Sequence, residues 1–189
     1  MTEGGDQPRT ERHQLQSGLT LVADHWGDPE QPGVLLLHGG GQTRHSWGGT
    51  ARAIAQRDMY AVTLDLRGHG ESDWNAEGNY QLRTFADDAA ELIGQLGQKP
   101  VVVGASLGGM TAVLLEGLCH PGSISGLVLV DIVPRMNQAG ADRVKEFMLA
   151  NARTGFASLE EVAAAIAAYN PHRKPPSDLR GLEKNLRRR

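Results

Sequence analysis

Four short apolar runs, set apart by helix-forming stretches, restrict this chain to few folds. They are Gly33-Val34-Leu35-Leu36-Leu37, Tyr60-Ala61-Val62-Thr63-Leu64-Asp65, Pro100-Val101-Val102-Val103-Gly104 and Leu127-Val128-Leu129-Val130-Asp131. None alternates apolar with polar residues, so each reads as a strand buried on both faces. Between them, helices are expected over Trp47 to about Arg57, Thr84 to Leu96, and Leu107 to about Cys119. Thr84 is the expected N-cap of the middle helix, with Asp87 and Asp88 in its first turn. Alternation of this kind predicts an α/β fold, a mostly parallel sheet flanked by helices. Ahead of it, Glu11 to Asp24 reads as a hairpin turning at Ser17-Gly18, and residues 1 to about 10 are expected to fray.

Ligands on open parallel sheets collect at the carboxyl ends of the strands. Here glycine-rich breaks fall at those ends: His38-Gly39-Gly40-Gly41-Gln42, Arg67-Gly68-His69-Gly70 and Gly104-Ala105-Ser106-Leu107-Gly108-Gly109. The last lies directly between a valine-rich strand and a helix. A serine there sits on a sharp turn that lifts its hydroxyl clear of the sheet, at a helix N-terminus whose dipole favours developing negative charge. Ser106 is therefore the candidate nucleophile. Acyl transfer also needs backbone amides aimed at the carbonyl oxygen as it gains charge. The amide of Leu107 is one candidate donor and that of Gly40 the second, because consecutive glycines expose amides and leave room for substrate.

These blocks, in this order and with Asp65-Leu66-Arg67-Gly68-His69-Gly70-Glu71-Ser72 between the glycine loop and the serine turn, resemble the α/β-hydrolase superfamily. Within it, the chain resembles the cofactor-free haloperoxidase (non-haem peroxidase) and esterase branch. The resemblance covers the N-terminal part of that fold, about Gly33 to Arg135 with the hairpin before it. It implies a serine nucleophile at Ser106, oxyanion donors at Gly40 and Leu107, and a site shaped by His38, Gly39, Arg67, Gly68 and His69. It implies hydrolysis of a small ester or thioester, or perhydrolysis by the same apparatus. Epoxide hydrolases and haloalkane dehalogenases of this fold carry aspartate where this chain has Ser106.

The family's acid and histidine follow later strands, in the order Ser, then Asp or Glu, then His. After Asp131 this sequence has no strand-like run, and the one histidine there is His172. Residues 136–189 read as helices, with Ser158 to Glu161 spaced as a capping box before the alanine-rich Val162 to Ala168 and a last polar helix over Leu179 to Arg187. They resemble the start of the family's helical cap, and residues 1–135 the first part of its core. The expectation is thus a hydrolase fold truncated within the cap, its usual acid and base absent. Asp131, at a strand end, is the candidate acid. Without a base a serine is a weak nucleophile. The alternative is a ligand- or partner-binding protein on the same fold.

Composition narrows the partners. Of 189 residues 40% are hydrophobic and the net charge is −3, which suits neither nucleic acid nor an anionic membrane. Two basic patches, around His172-Arg173-Lys174 and at Arg187 to Arg189, read as solvated surface. The single Cys119 cannot form an intrachain disulfide, which fits a reducing cytoplasm, and no apolar run approaches membrane-spanning length. No phosphate-binding glycine motif with its lysine is present. The histidines are scattered along the chain, so no metal site and no cofactor is expected.

Overall fold

The structure, a computed structural model, describes residues 7–132, 138–151, 154–172 and 179–186. Arg173, Lys174 and Arg187 to Arg189, with the breaks at Pro134, Pro175 and Pro176, lie outside these residues. By its internal contacts the chain divides into two compact units, Met1–Ile132 and Val133–Arg189.

The first unit holds one six-stranded sheet, ordered β1-β2-β4-β3-β5-β6. Its strands are β1 (Arg9–Gln14), β2 (Thr20–Trp26), β3 (Gly33–Leu37), β4 (Tyr60–Asp65), β5 (Val101–Ala105) and β6 (Gly126–Val130). β3 to β6 run parallel, and the β1–β2 hairpin joins them antiparallel through β2. Leu37 is level with Leu64 on one side and Gly104 on the other. That register brings the chain segments after β3, β4 and β5 to the same end of the sheet.

Side chains alternate across the strands, so the apolar runs feed two cores. Leu35, Leu37, Val62 and Leu64 pack with Phe85, Ala89 and Leu92 of α2 (Leu82–Leu96) and Ala112 of α3 (Leu107–Leu114). Val34, Leu36 and Ala61 pack on the other face with Ala51 of α1 (Gly48–Ala55) and Trp26. Burying each such leucine contributes about 2 kcal/mol, which is why a run apolar at every position demands helices on both faces.

Several expectations change. The strand β1 starts at Arg9, inside the stretch expected to fray, because β2 gives its backbone a partner. The helix α2 begins before Thr84, with Gln81 at its N-cap position. The Thr84 hydroxyl donates to Gln81 O at 2.6 Å, so Thr84 closes the first turn from within. Asp88 is consequently not a first-turn acid; it is buried and paired with Arg67. The helix after Ser106 is α-helical only to Leu114, and Leu115–Cys119 forms a wider π turn closed by His120 N–H to Leu115 O at 2.7 Å. Among the described residues the strand β6 pairs with β5 alone, and Leu127, Val128, Leu129 and Val130 are all exposed.

The second unit carries α4 (Gln138–Ala150), α5 (Leu159–Tyr169) and the single turn α6 (Arg180–Glu183), shorter than the helix expected over Leu179 to Arg187. Ser158 caps α5, its hydroxyl oxygen accepting from Glu161 N–H at 3.3 Å. Glu161 reaches back to Ala157 N–H at 2.6 Å, one residue short of the reciprocal bond of a capping box. Phe147 stacks on Tyr169 with ring centroids 4.4 Å apart. Among the described residues no helix is long and apolar enough to cross a membrane.

Candidate active site

Ser106 stands between β5 and α3 with φ +46 and ψ −112, a backbone conformation residues with a Cβ rarely adopt. The turn is this tight because backbone segments meet around it. A Cβ on Gly104 would lie 2.5 Å from Gly108 O, and one on Gly108 would lie 2.4 Å from Leu37 O. Glycine at 104 and 108 lets β5, α3 and β3 touch through main chain. The Ser106 N–H donates to Val130 O at 3.3 Å, and Met110 N–H donates to Ser106 O at 2.9 Å. These bonds hold the turn while Ser106 itself remains exposed. Conformational strain of this kind costs about 1–3 kcal/mol. Ser106→Gly is therefore expected to raise the free energy of unfolding by about 1 kcal/mol, net of the extra chain entropy of glycine, in urea denaturation. Unchanged or lower stability would show that the turn holds no strain to release.

The loop after β3 faces this serine, since a Cβ on Gly39 would come 3.5 Å from Ser106 Cβ. Its amides are sorted. Gly39 N–H donates to Gln42 Oε1 at 3.0 Å, Gly41 N–H to His69 Nε2 at 3.2 Å, and Gly108 N–H to His38 O at 3.1 Å. The amides of Gly40 and Leu107 have no acceptor among the described residues. The two candidate donors are thus the ones left available for a ligand, each flanked by amides that are taken.

Two histidines brace the loop, and Arg67 anchors the neighbouring segment after β4. His38 is fully buried; its Nδ1–H donates to Gly39 O at 2.8 Å and its Nε2 accepts from Leu66 N–H at 3.1 Å. Both ring nitrogens are occupied, and burial pushes its pKa down to about 4. His69 donates from Nδ1 to Arg67 O at 3.0 Å, its ring 4.9 Å from that of His38. Arg67 is buried and forked onto Asp88 at 2.5 and 2.6 Å, with Nη1 on Asn79 O at 3.1 Å. Gly68 sits at φ +73 against Tyr80.

The sign of the His38 shift gives a pH prediction. The folded protein favours the neutral ring, and an unfolded chain takes up its proton near pH 6.5. Stability from this group is complete above about 6.5 and is lost as pH falls toward about 4. In urea titrations at several pH values, His38→Gln is expected to remove about 1.4 kcal/mol per pH unit of slope within that window. An unchanged slope would show that His38 does not titrate this way.

A residue that sequence reading passed over carries more of the architecture. Arg44 begins the turn after the glycine loop and is buried. Its Nη1 bonds Asp65 Oδ2 at 2.5 Å, its Nη2 bonds Glu71, its Nε lies 3.0 Å from Asp24 Oδ1, and its backbone N–H donates to Asp65 Oδ1 at 2.6 Å. Asp65 also accepts from Glu71 N–H at 3.0 Å. A Cβ on Gly70, at φ +52, would overlap that carboxylate at 2.1 Å. The one available signal was Asp65, a charge closing an apolar run.

Asp131 follows β6 at φ +53, next to the residue whose carbonyl holds Ser106. It is exposed, and no hydrogen bond or ion pair joins it to a described residue. The histidines of the first unit are engaged elsewhere. His120 bonds Asp87 Oδ1 at 2.9 Å and His45 lies 3.8 Å from Asp24 Oδ2. His13 and His25 meet each other at 3.0 Å, near Glu11. Strand register, not spacing along the chain, assembles that last grouping.

Known proteins resemble this chain in sequence and fold. The family model for the alpha/beta hydrolase fold matches residues 32–181. The esterase Rv0045c of Mycobacterium tuberculosis is 34% identical across 98% of this chain and 62% of its own length. Mouse protein phosphatase methylesterase 1 is 33% identical across 69% of this chain and 35% of its own. A solved α/β hydrolase from Novosphingobium aromaticivorans shares the fold at TM-score 0.78 and 24% identity, covering 96% of this chain and 63% of that one. The chain thus spans between about a third and two-thirds of the length of these proteins. With a model match over most of its residues and a sheet of the same build, the chain belongs to the α/β-hydrolase family.

Proposed function

We propose that this site performs acyl transfer on a small ester or thioester, with Ser106 as nucleophile and the amides of Gly40 and Leu107 holding the oxyanion. The observation that carries the reading is the pair of unclaimed amides beside an exposed serine on a strained turn. The serine oxygen attacks the acyl carbon, the carbonyl oxygen gains charge toward the two amides, and the alcohol or thiol departs to leave an acyl-serine that water then hydrolyses. The esterase and the methylesterase among its relatives support this substrate class. Residues 1–135 are assigned to the hydrolase core and 136–189 to the start of a helical cap. Asp131 is the candidate acid.

The test is covalent. A fluorophosphonate is expected to add to Ser106, located by peptide mass spectrometry, and Ser106→Ala is expected to abolish the adduct. An adduct that survives in the alanine variant, or forms elsewhere, removes the assignment.

A second reading has its own support. Among the described residues no histidine of the first unit is hydrogen-bonded to the Ser106 hydroxyl, so no base stands in place to activate it. The fold would then bind an acyl ligand without turnover. Saturable binding of an ester analogue by a chain that takes up no fluorophosphonate would favour that reading.

A further inference from the structure

We propose that Glu11, His13 and His25 form a binding site for a divalent first-row transition-metal ion, of which Zn2+ is the type. The site lies outside the acyl-transfer site. His25 pairs with Val62 and Val22 with Asp65, so His25 sits toward the start of β4, the opposite end of the sheet from Ser106.

The β1–β2 register builds the group. Arg9, Glu11 and His13 alternate onto one face of β1, and Arg9 lies directly across from His25. The same face receives α2, through Gln95, and the Tyr60 ring of β4. The Nε2 atoms of His13 and His25 are 3.0 Å apart, Glu11 Oε2 is 3.7 Å from His25 Nε2, and one ligand atom from each of the three lies within 4.8 Å of the others. A tetrahedral ion with bonds of about 2.0 Å holds its ligands roughly 3.3 Å apart. The spacing is therefore close to what an ion requires, with one or two positions left for water.

The surroundings orient the donors. Gln95 Nε2 donates to Gln14 O at 2.9 Å, which fixes the amide and leaves its Oε1 to accept from His13 Nδ1–H at 3.1 Å. The proton of His13 is thus on Nδ1, and its Nε2 presents a lone pair toward His25. The His25 Nδ1 bonds the Tyr60 hydroxyl, which leaves Nε2 facing the same point. An imidazole anchored through one nitrogen while the other faces the metal is how protein ligands are usually set. Arg9 Nε occupies Glu11 Oε1 at 2.5 Å, so Oε2 is the oxygen turned to the rings. Two imidazoles and one carboxylate select Zn2+, Ni2+ or Cu2+ over Mg2+ or Ca2+, which prefer all-oxygen shells. Bound metal would tie the hairpin to α2 and β4.

The experiment uses tag-free protein stripped with a chelator. Titration with Zn2+ against a chromogenic indicator is expected to show one saturable site, and the Tm is expected to rise with free Zn2+ as binding to the folded state requires. Glu11→Gln and His13→Gln are each expected to weaken binding at least about tenfold, by analogy with the loss seen when ligand-supporting groups are removed. Co2+ is expected to give visible absorption bands that both ligand variants lose. Circular dichroism identifies any variant that fails to fold, and Glu11, partly exposed, is the safer of the two. No saturable Zn2+ uptake by wild type would overturn the site, since the two rings would then simply share a proton. Uptake left intact by both folded variants would overturn it equally.

Discussion

Arg44→Met is expected to lower the free energy of unfolding by about 3–5 kcal/mol, read from urea denaturation followed by circular dichroism. The size follows from what the guanidinium leaves behind. Asp65 is fully buried and Asp24 nearly so, and both face Arg44. Methionine fills the volume without charge, so two carboxylates would remain in a low-dielectric interior without their main counterion. Native domains are stable by about 5–15 kcal/mol, so the loss is a large share of the whole. Arg44→Lys is expected to recover only part of it, because the three donors of an ammonium radiate from a single nitrogen and cannot reach Asp24, Asp65 and Glu71 together as the spread nitrogens of the guanidinium do. Asp65 lies at the end of β4, and Arg44 follows the glycine loop, so the same bonds fix the loop that carries Gly40. A loss under about 1 kcal/mol would show that the cluster is screened by water and does not anchor the loop.

Ser106→Ala is expected to lower kcat for ester hydrolysis by about 10^4-fold or more in any form of the protein that turns substrate over. In the proposed mechanism the oxygen removed is the atom that forms the acyl bond, and no neighbouring hydroxyl takes its place on the turn. The proposed oxyanion donors survive the change, since both are backbone amides, and such donors with binding alone retain about 10^3–10^4-fold over water. Residual activity at that level, with unchanged KM, is thus consistent with the assignment. A loss below about tenfold would mean that water, not Ser106, attacks the substrate. The same variant keeps its Cβ in the strained φ, so its stability is expected to stay near wild type, unlike that of Ser106→Gly.

Much of the fold was legible because its signals are local. The apolar runs place β3 and β4 at their observed bounds and β5 and β6 within a residue, since a continuous run of Val and Leu is dictated by burial on both faces. The Ser17-Gly18 turn gives the hairpin, with Gly18 at φ +83. Thr84 was misread because a cap is defined by where the first turn closes, and Leu82 and Arg83 are compatible with helix too. β6 carries the same pattern as β3 yet is exposed, because burial depends on what covers a strand as well as on its composition.

The candidate site divides along the same line. The serine, the glycines around it and the strand–turn–helix that strains it are properties of one short stretch of chain, and the sequence by itself determined them. The availability of two particular amides, the bracing by His38 and His69, the buried Arg44 and the Glu11–His13–His25 group were decided only by tertiary structure. Each depends on strand register and on which side chains meet across the sheet: Leu37 level with Gly104, Arg9 across from His25, Asp65 within reach of Arg44. Spacing along a chain carries no record of such pairings, because residues tens of positions apart meet only when the sheet forms.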